Sequence, residues 1–385
     1  MNRSISREQS SRPLSVVFDI AALGQGGMER QLIDLAAGLV NRGHDVAIVV
    51  NKQISAYAQE LSSARVTLVE LGTSRRFGVS AHRGLSEVCR ARQADVVVGV
   101  NFNGTFWSRT VGHSLRIATV IWEHSTDLAS PFKVVMSNHL LGPWTDAVVA
   151  CAEAQVPSLV LAGSPADRIV VVRNGVDCTQ FQRSASGALR FKERFGIPPS
   201  VLTVGLIGGH RREKRHDRFI ELVSGLRRGG VPVWGIAIGG GPDLAKNIQL
   251  ADEAQLADSM VFTGGVEDVT AAYSACDVCV LCSDSETLPL SLMEAQACET
   301  PVVAMQVGGV AETFDPGTTG VLVQQGDVEG FEREVARLLA NAELRADMGA
   351  AGRAWVSANR SLEAMVEGYA QVLRVAVARA AERRG

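Results

Sequence analysis

Short, nearly unbroken runs of valine and isoleucine punctuate the chain: LSVVFDI (14–20), HDVAIVV (44–50), DVVVGV (95–100), RIATVIW (116–122), DAVVAC (146–151) and RIVVV (168–172). A strand with one wet face alternates apolar and polar side chains, and these runs do not alternate. They must be covered on both faces, which demands a parallel sheet with helices above and below it. The segments between them supply such helices. Across 28–42, Leu32, Leu35, Ala36 and Leu39 recur at the spacing of one helix face.

The pattern restarts at VLTVGLIGG (201–209), followed by a helix with Phe219, Leu222, Val223 and Leu226 inward. VWGIAIGGG (233–241), MVFTGG (260–265), DVCVLCS (277–283), PVVAMQV (301–307) and GVLVQQ (320–325) continue it. A polar stretch at 177–200, predicting a short helix at most, separates the two series. The expected fold class is therefore α/β: two doubly wound, Rossmann-like domains with an interdomain cleft, assigned to residues 1–180 and 181–360. A final helix at roughly 361–382 presents Leu362, Met365, Tyr369 and Leu373 as an apolar stripe.

Composition narrows the function classes. A net charge of −3 over 385 residues gives no electrostatic footprint for nucleic acid. The start of the chain is polar and basic, and no run reaches the ~18 apolar residues of a membrane span, so a cytoplasmic protein is expected. Seven cysteines, an odd number, do not suggest a disulfide framework. Cys276, Cys279 and Cys282 have metal-like spacing, but DVCVLCS reads as a strand that sends Cys279 and Cys282 to opposite faces. No metal site is expected.

Three motifs carry chemistry. GQGGMER (24–30) places Gly26 and Gly27 at a strand–helix junction, where backbone N–H groups suit a phosphate or where the chain simply turns tightly. Glu29 stands where a dinucleotide fingerprint needs glycine, and Val50 and Asn51 replace its closing acid, which disfavours a dehydrogenase. GGHRREKRHD (208–217) clusters Arg211, Arg212, Lys214 and Arg215 where strand becomes helix. Basic residues there oppose the helix dipole, an arrangement that makes sense beneath an anion. Finally, Glu286 and Glu294 lie eight positions apart in SETLPLSLMEAQ, with Pro289 suited to the first turn of the helix between them. Carboxylates accept hydroxyls, and helix N–H groups take phosphate. Sugar, diphosphate and ribose would fit in a row.

These motifs, with VVRNGVD (171–177), VFTGGVEDVTAAYSACD (261–277) and PVVAMQVGGVAE (301–312), resemble the retaining glycosyltransferases of family 4, which have the GT-B fold. The resemblance covers nearly the whole chain. It implies that Glu286 holds hydroxyls of a donor sugar and Glu294 the nucleotide ribose, while Arg211 and Lys214 grip the diphosphate with N–H groups of Gly27 and of the turn around Leu288 and Leu290. It implies that His124 lies beside the transferred sugar, and that residues 361–385 pack back on the first domain. It implies transfer with retention, no metal or other cofactor, a nucleotide-sugar donor and an acceptor left unspecified. Three positions depart from the pattern. Gly209 replaces a common arginine, whose role moves to Arg211; Pro289 replaces a glycine; Glu299 replaces another and suggests a different helix ending. An inactive sugar-nucleotide-binding partner subunit, or a GT-B epimerase, is the alternative. Acceptor loops are expected at 72–83 and 101–110, where Arg75, Arg76 and Phe77 are compatible with peripheral contact at a membrane.

Overall fold

The computed structural model describes residues 12–24, 26–54, 57–72, 79–124 and 131–383. Arg75, Arg76 and Phe77 lie outside them. The chain divides into two compact units: one runs to Asn174 and takes back the chain from Leu362 onward, and the other is Gly175–Ser361.

The first unit holds strands β1 (Ser15–Ile20), β2 (Asp45–Val50), β3 (Thr67–Glu70), β4 (Val96–Val100), β5 (Ala118–Glu123), β6 (Ala147–Ala150) and β7 (Ile169–Val171). They form one parallel sheet in the order β3-β2-β1-β4-β5-β6-β7. The second unit repeats the scheme with β8 (Leu202–Ile207), β9 (Val233–Ile238), β10 (Met260–Gly264), β11 (Val278–Leu281), β12 (Val302–Met305) and β13 (Val321–Val323), ordered β10-β9-β8-β11-β12-β13. All five residues of β4 and all four of β11 are buried, as unbroken apolar runs require. Around β11 the side chains alternate between two cores. Cys279 and Leu281 join Ile236 and Leu292, whereas Val280 and Cys282 join Phe219 and Phe331. The cysteines thus face opposite sides of the sheet.

The helix Leu362–Glu382 packs on helix Gly27–Asn41 and on β5 within the first unit. Met365, Tyr369 and Leu373 are buried, joined by Val366, Ala370, Val372, Ala376 and Ala380. Leu362, expected in the stripe, is only half-buried, because the helix begins there. Among the described residues, no helix is long and apolar enough to cross a membrane.

One departure has a clear local geometry. Helix Leu290–Ala297 ends with Thr300 N–H donating to Ala295 O at 2.9 Å and Glu299 N–H to Gln296 O at 2.9 Å, a Schellman motif. Its left-handed residue is Glu299, at φ +56. The ending is therefore the one glycine would make without strain, which corrects the expectation of a different ending.

A buried polar group sits at the end of β1. Asp19 is wholly inaccessible, its carboxyl taking Asn51 Nδ2 at 2.6 Å and Ser108 Oγ at 3.2 Å. Burial pushes its pKa up to about 7 despite both hydrogen bonds.

Three outcomes follow. Tyr369→Ala should lower stability by about 3–5 kcal/mol in denaturant titrations, whereas the exposed Glu363→Ala should shift it by less than about 0.5 kcal/mol. Glu299→Gly should raise the melting temperature, worth about 0.5–1 kcal/mol, by relieving the left-handed strain. For Asp19, the folded state keeps its proton up to pH about 7, while the unfolded chain releases it near 3.8. The stabilisation is full below the lower value and disappears as pH rises through the upper one. Asp19→Asn should therefore gain stability relative to the parent between pH 4 and 8; parallel stability profiles would refute this.

Candidate functional site

β8 and β11 are neighbours, yet after β8 the chain leaves towards β9 and after β11 towards β12. The two following loops, 208–215 and 282–289, leave this switch point beyond the strand ends, the general location of ligands in such sheets. Several contacts tie the loops together. Asp284 N–H donates to Glu213 O at 2.8 Å. The Asp284 carboxylate pairs with Arg215 at 3.1 Å and Arg218 at 2.7 Å, and Arg215 also pairs with Asp217 at 2.8 Å.

Within that frame stands Lys214 Nζ, 2.6 Å from Glu286 Oε1. Ser283 Oγ donates to the same oxygen at 2.6 Å. The Glu286 side chain is only 9% exposed, and no described residue occupies its other oxygen, Oε2. The backbone of Glu286 is held as well. Gly309 N–H approaches its carbonyl at 3.3 Å, and a Cβ on the preceding Gly308, at φ +47, would collide with that carbonyl. Only glycine fits there.

Glu294 is the fifth residue of helix Leu290–Ala297. Tyr273, fully buried, donates its hydroxyl to Glu294 Oε2 at 2.6 Å. Burial and the neighbouring carboxylate hold the Tyr273 hydroxyl well above its usual pKa, so it remains a donor. Pro289 was expected in the first helical turn, but it is the N-cap, extended at ψ 120, and no side chain caps the helix. The first-turn N–H groups of Leu290, Ser291 and Leu292 therefore point out of the helix end, where an anion is stabilised. Leu288 is buried beneath this turn.

The basic cluster divides into separate tasks. Arg215 is committed to carboxylates, Lys214 to Glu286, and Arg211 is exposed without an ion pair among the described residues. The loop rests on two stacked buried histidines, His210 and His216, with ring centroids 3.8 Å apart. Burial, followed by His210 and Lys214, lowers His216 to about 3, so this support stays uncharged. Asn247 Nδ2 fixes His210 Nδ1 at 2.9 Å.

The first unit looks different. Gly26 caps helix Gly27–Asn41, but Glu29 folds back over it, with Oε2 2.5 Å from where a Gly26 Cβ would stand. A carboxylate thus already lies at the helix end that the phosphate reading required. His124 follows β5, its ring tilted on Trp122 at 4.3 Å and its Nδ1 3.5 Å from Cys151 Sγ. Burial lowers its pKa to about 3, which leaves a neutral imidazole. The structure brings Lys214 and Glu286 together; Arg211 is joined to Lys214 through the main chain, its carbonyl accepting from Lys214 N–H at 3.0 Å, and makes no side-chain contact with the pair among the described residues. Sequence reasoning missed Ser283, Tyr273 and Asp284. Ser283, three residues before Glu286 at a strand end, carried a faint signal; Tyr273, in an alanine-rich helix, carried none.

Residues 25–180 match the family described as Glycosyltransferase Family 4, and 189–355 match Glycosyl transferases group 1. The chain is 36% identical over 195 residues to a GDP-mannose-dependent alpha-(1-6)-phosphatidylinositol monomannoside mannosyltransferase of Mycolicibacterium smegmatis, covering 48% of this chain and 50% of that protein. It is 26% identical over 263 residues to the N-acetyl-alpha-D-glucosaminyl L-malate synthase of Bacillus anthracis, covering 67% and 68%. The matches to the mycobacterial mannosyltransferases span 50–63% of their length. Among solved structures, Anabaena Alr3699/HepE in complex with UDP and glucose superposes with a TM-score of 0.84 at 18% identity, over 94% of this chain and 99% of that one. WaaG, a glycosyltransferase involved in lipopolysaccharide biosynthesis, gives 0.73 at 16% identity, over 93% and 99%. With both units matched in order and the double Rossmann scheme shared, this chain belongs to the family 4 type of glycosyltransferases of GT-B fold.

Proposed function

We propose that the protein transfers a hexosyl group, mannosyl or glucosyl, from a nucleoside-diphosphate sugar to an acceptor hydroxyl, with retention of configuration. The carrying observation is the Lys214–Glu286–Ser283 group beside an uncapped helix N-terminus. A carboxylate with one oxygen fixed and the other unclaimed is a hydroxyl receptor. Lys214, Arg211 and the first-turn N–H groups offer positive charge where a departing diphosphate develops negative charge. Side chains and a helix end would thus do what a divalent cation does elsewhere, so we propose transfer without metal or other cofactor. Glu294, aimed by Tyr273, takes the ribose hydroxyls. Retention rests on the family resemblance, with the leaving phosphate assisting attack on the same face. The reading uses the second unit alone; His124, neutral and packed on Trp122, would contribute at most a hydrogen bond. The M. smegmatis relative is named for GDP-mannose, and Alr3699/HepE was also solved with UDP-glucose, which makes these two donors the first to test.

Calorimetry with UDP and GDP tests the assignment. Lys214→Ala or Arg211→Ala removes a charge-assisted hydrogen bond of about 1.5–3 kcal/mol, which weakens the preferred diphosphate by roughly 10- to 150-fold. Glu294→Ala should weaken it too, because the ribose is part of that ligand. Release of diphosphate from the matching donor should persist in excess EDTA. Unchanged affinity in both Lys214→Ala and Glu294→Ala would remove the donor site from this switch point.

A further inference from the structure

The family resemblance assigns Glu286 to the sugar and Lys214 to the diphosphate. In the structure these two side chains are paired. Lys214 Nζ and Ser283 Oγ converge on one oxygen, Oε1, each at 2.6 Å. The two donors differ in kind. Ser283 is wholly buried at the end of β11 and has a short side chain with one rotor, so it stays in place. Lys214 ends a short turn, has a flexible four-carbon stem and is 26% exposed. An ammonium drawn towards a diphosphate shares its charge and its three donors, so its hold on Glu286 weakens.

We propose that Lys214 is an exchangeable cation, paired with Glu286 in the empty site and drawn to the diphosphate when donor binds, and that Ser283 is the positioning residue that keeps Glu286 aimed while the lysine is engaged. This rests on the donor-site reading above. Its physical basis is reciprocity: a lysine stabilised by Glu286 in the empty site gives up that interaction on binding, so Glu286 opposes diphosphate affinity. In return, a Glu286 relieved of its cation carries more negative charge on the oxygens that receive the sugar hydroxyls. The exchange would tie sugar recognition to the presence of the diphosphate.

The test measures UDP and GDP affinity by calorimetry and diphosphate release from UDP-glucose and GDP-mannose in water. Glu286→Gln should bind the preferred diphosphate about twofold to fivefold more tightly than the parent, the scale of a partly exposed ion pair. In a Lys214→Ala background the same change should give no gain. If Glu286→Gln binds equally or less tightly while Lys214→Ala still weakens binding, the exchange is wrong and the donor site stands. If Lys214→Ala does not weaken binding, the exchange is wrong, and the donor site falls with it when Glu294→Ala is also without effect. For the positioning role, Ser283→Ala should keep diphosphate affinity within about twofold while kcat for donor cleavage falls about tenfold, the low end for a hydrogen bond to a charged group. Ser283→Thr, which keeps the hydroxyl, should restore kcat. Ser283→Ala with the parent's kcat, or a loss that Ser283→Thr does not repair at unchanged melting temperature, would overturn it.

Discussion

A carboxylate that is mostly buried must have donors, and the second unit is arranged around supplying them to Glu286. Taking an ionised carboxyl out of water costs several kcal/mol unless its charge and lone pairs are met. Lys214 comes from the loop after β8 and Ser283 from the end of β11, two strands adjacent in space but 71 positions apart from the end of the first to the start of the second, at Ile207 and Val278. Their meeting depends on the sheet order, because only at the point where the order reverses do consecutive loops part and leave room. The bridge through Asp284 then keeps the two loops at the spacing that the ion pair needs.

Backbone geometry does the rest. Gly308 lets the turn after β12 come against the Glu286 carbonyl, and Gly239, at φ +137, lets the β9 loop lie against Gly208. Neither approach admits a side chain. Thus four loops crowd the ends of β8, β9, β11 and β12, and the charged groups inherit their precision from contacts between main chains. Beneath them the supports are uncharged: the stacked pair His210 and His216 remains neutral through burial, and Tyr273 keeps its proton.

This division explains what could be read from the sequence. The sheets, their number and their restart were legible because burial on both faces leaves unbroken Val/Ile runs, a property each strand shows by itself. Glu286, Glu294 and Lys214 were legible as acids and a base in places where neither a core nor a helix dipole wants them. Their pairing was not. Which of Lys214, Arg211 and Arg215 reaches Glu286 depends on loop conformation, including the left-handed Arg215 at φ +53, and periodicity carries no record of that. Ser283 and Tyr273 are ordinary strand-end and helix residues until the fold brings them within 2.6 Å of an acid. Glu299 misled for the opposite reason: the missing glycine suggested a new ending, but hydrogen bonds from Glu299 and Thr300 preserve the motif at the expense of strain.

The two units show how little of a site follows from topology. Both sheets have the same order around their first strand, and both place glycines and a helix start after it. In the first unit, however, Glu29 sits over its own helix N-terminus, and the acid at the strand end, Asp19, is sealed among Asn51 and Ser108 with its pKa raised to about 7. Those groups are met by neighbouring side chains of the first unit. In the second unit the helix end at Leu290 has no side-chain cap, Arg211 is unpaired among the described residues, and Glu286 keeps one oxygen unclaimed. A ligand is attracted by what the chain has left unsatisfied. On that criterion the proposed donor site is assigned to the second unit, while the equivalent strand end of the first holds an acid whose burial lowers stability as pH rises above about 4.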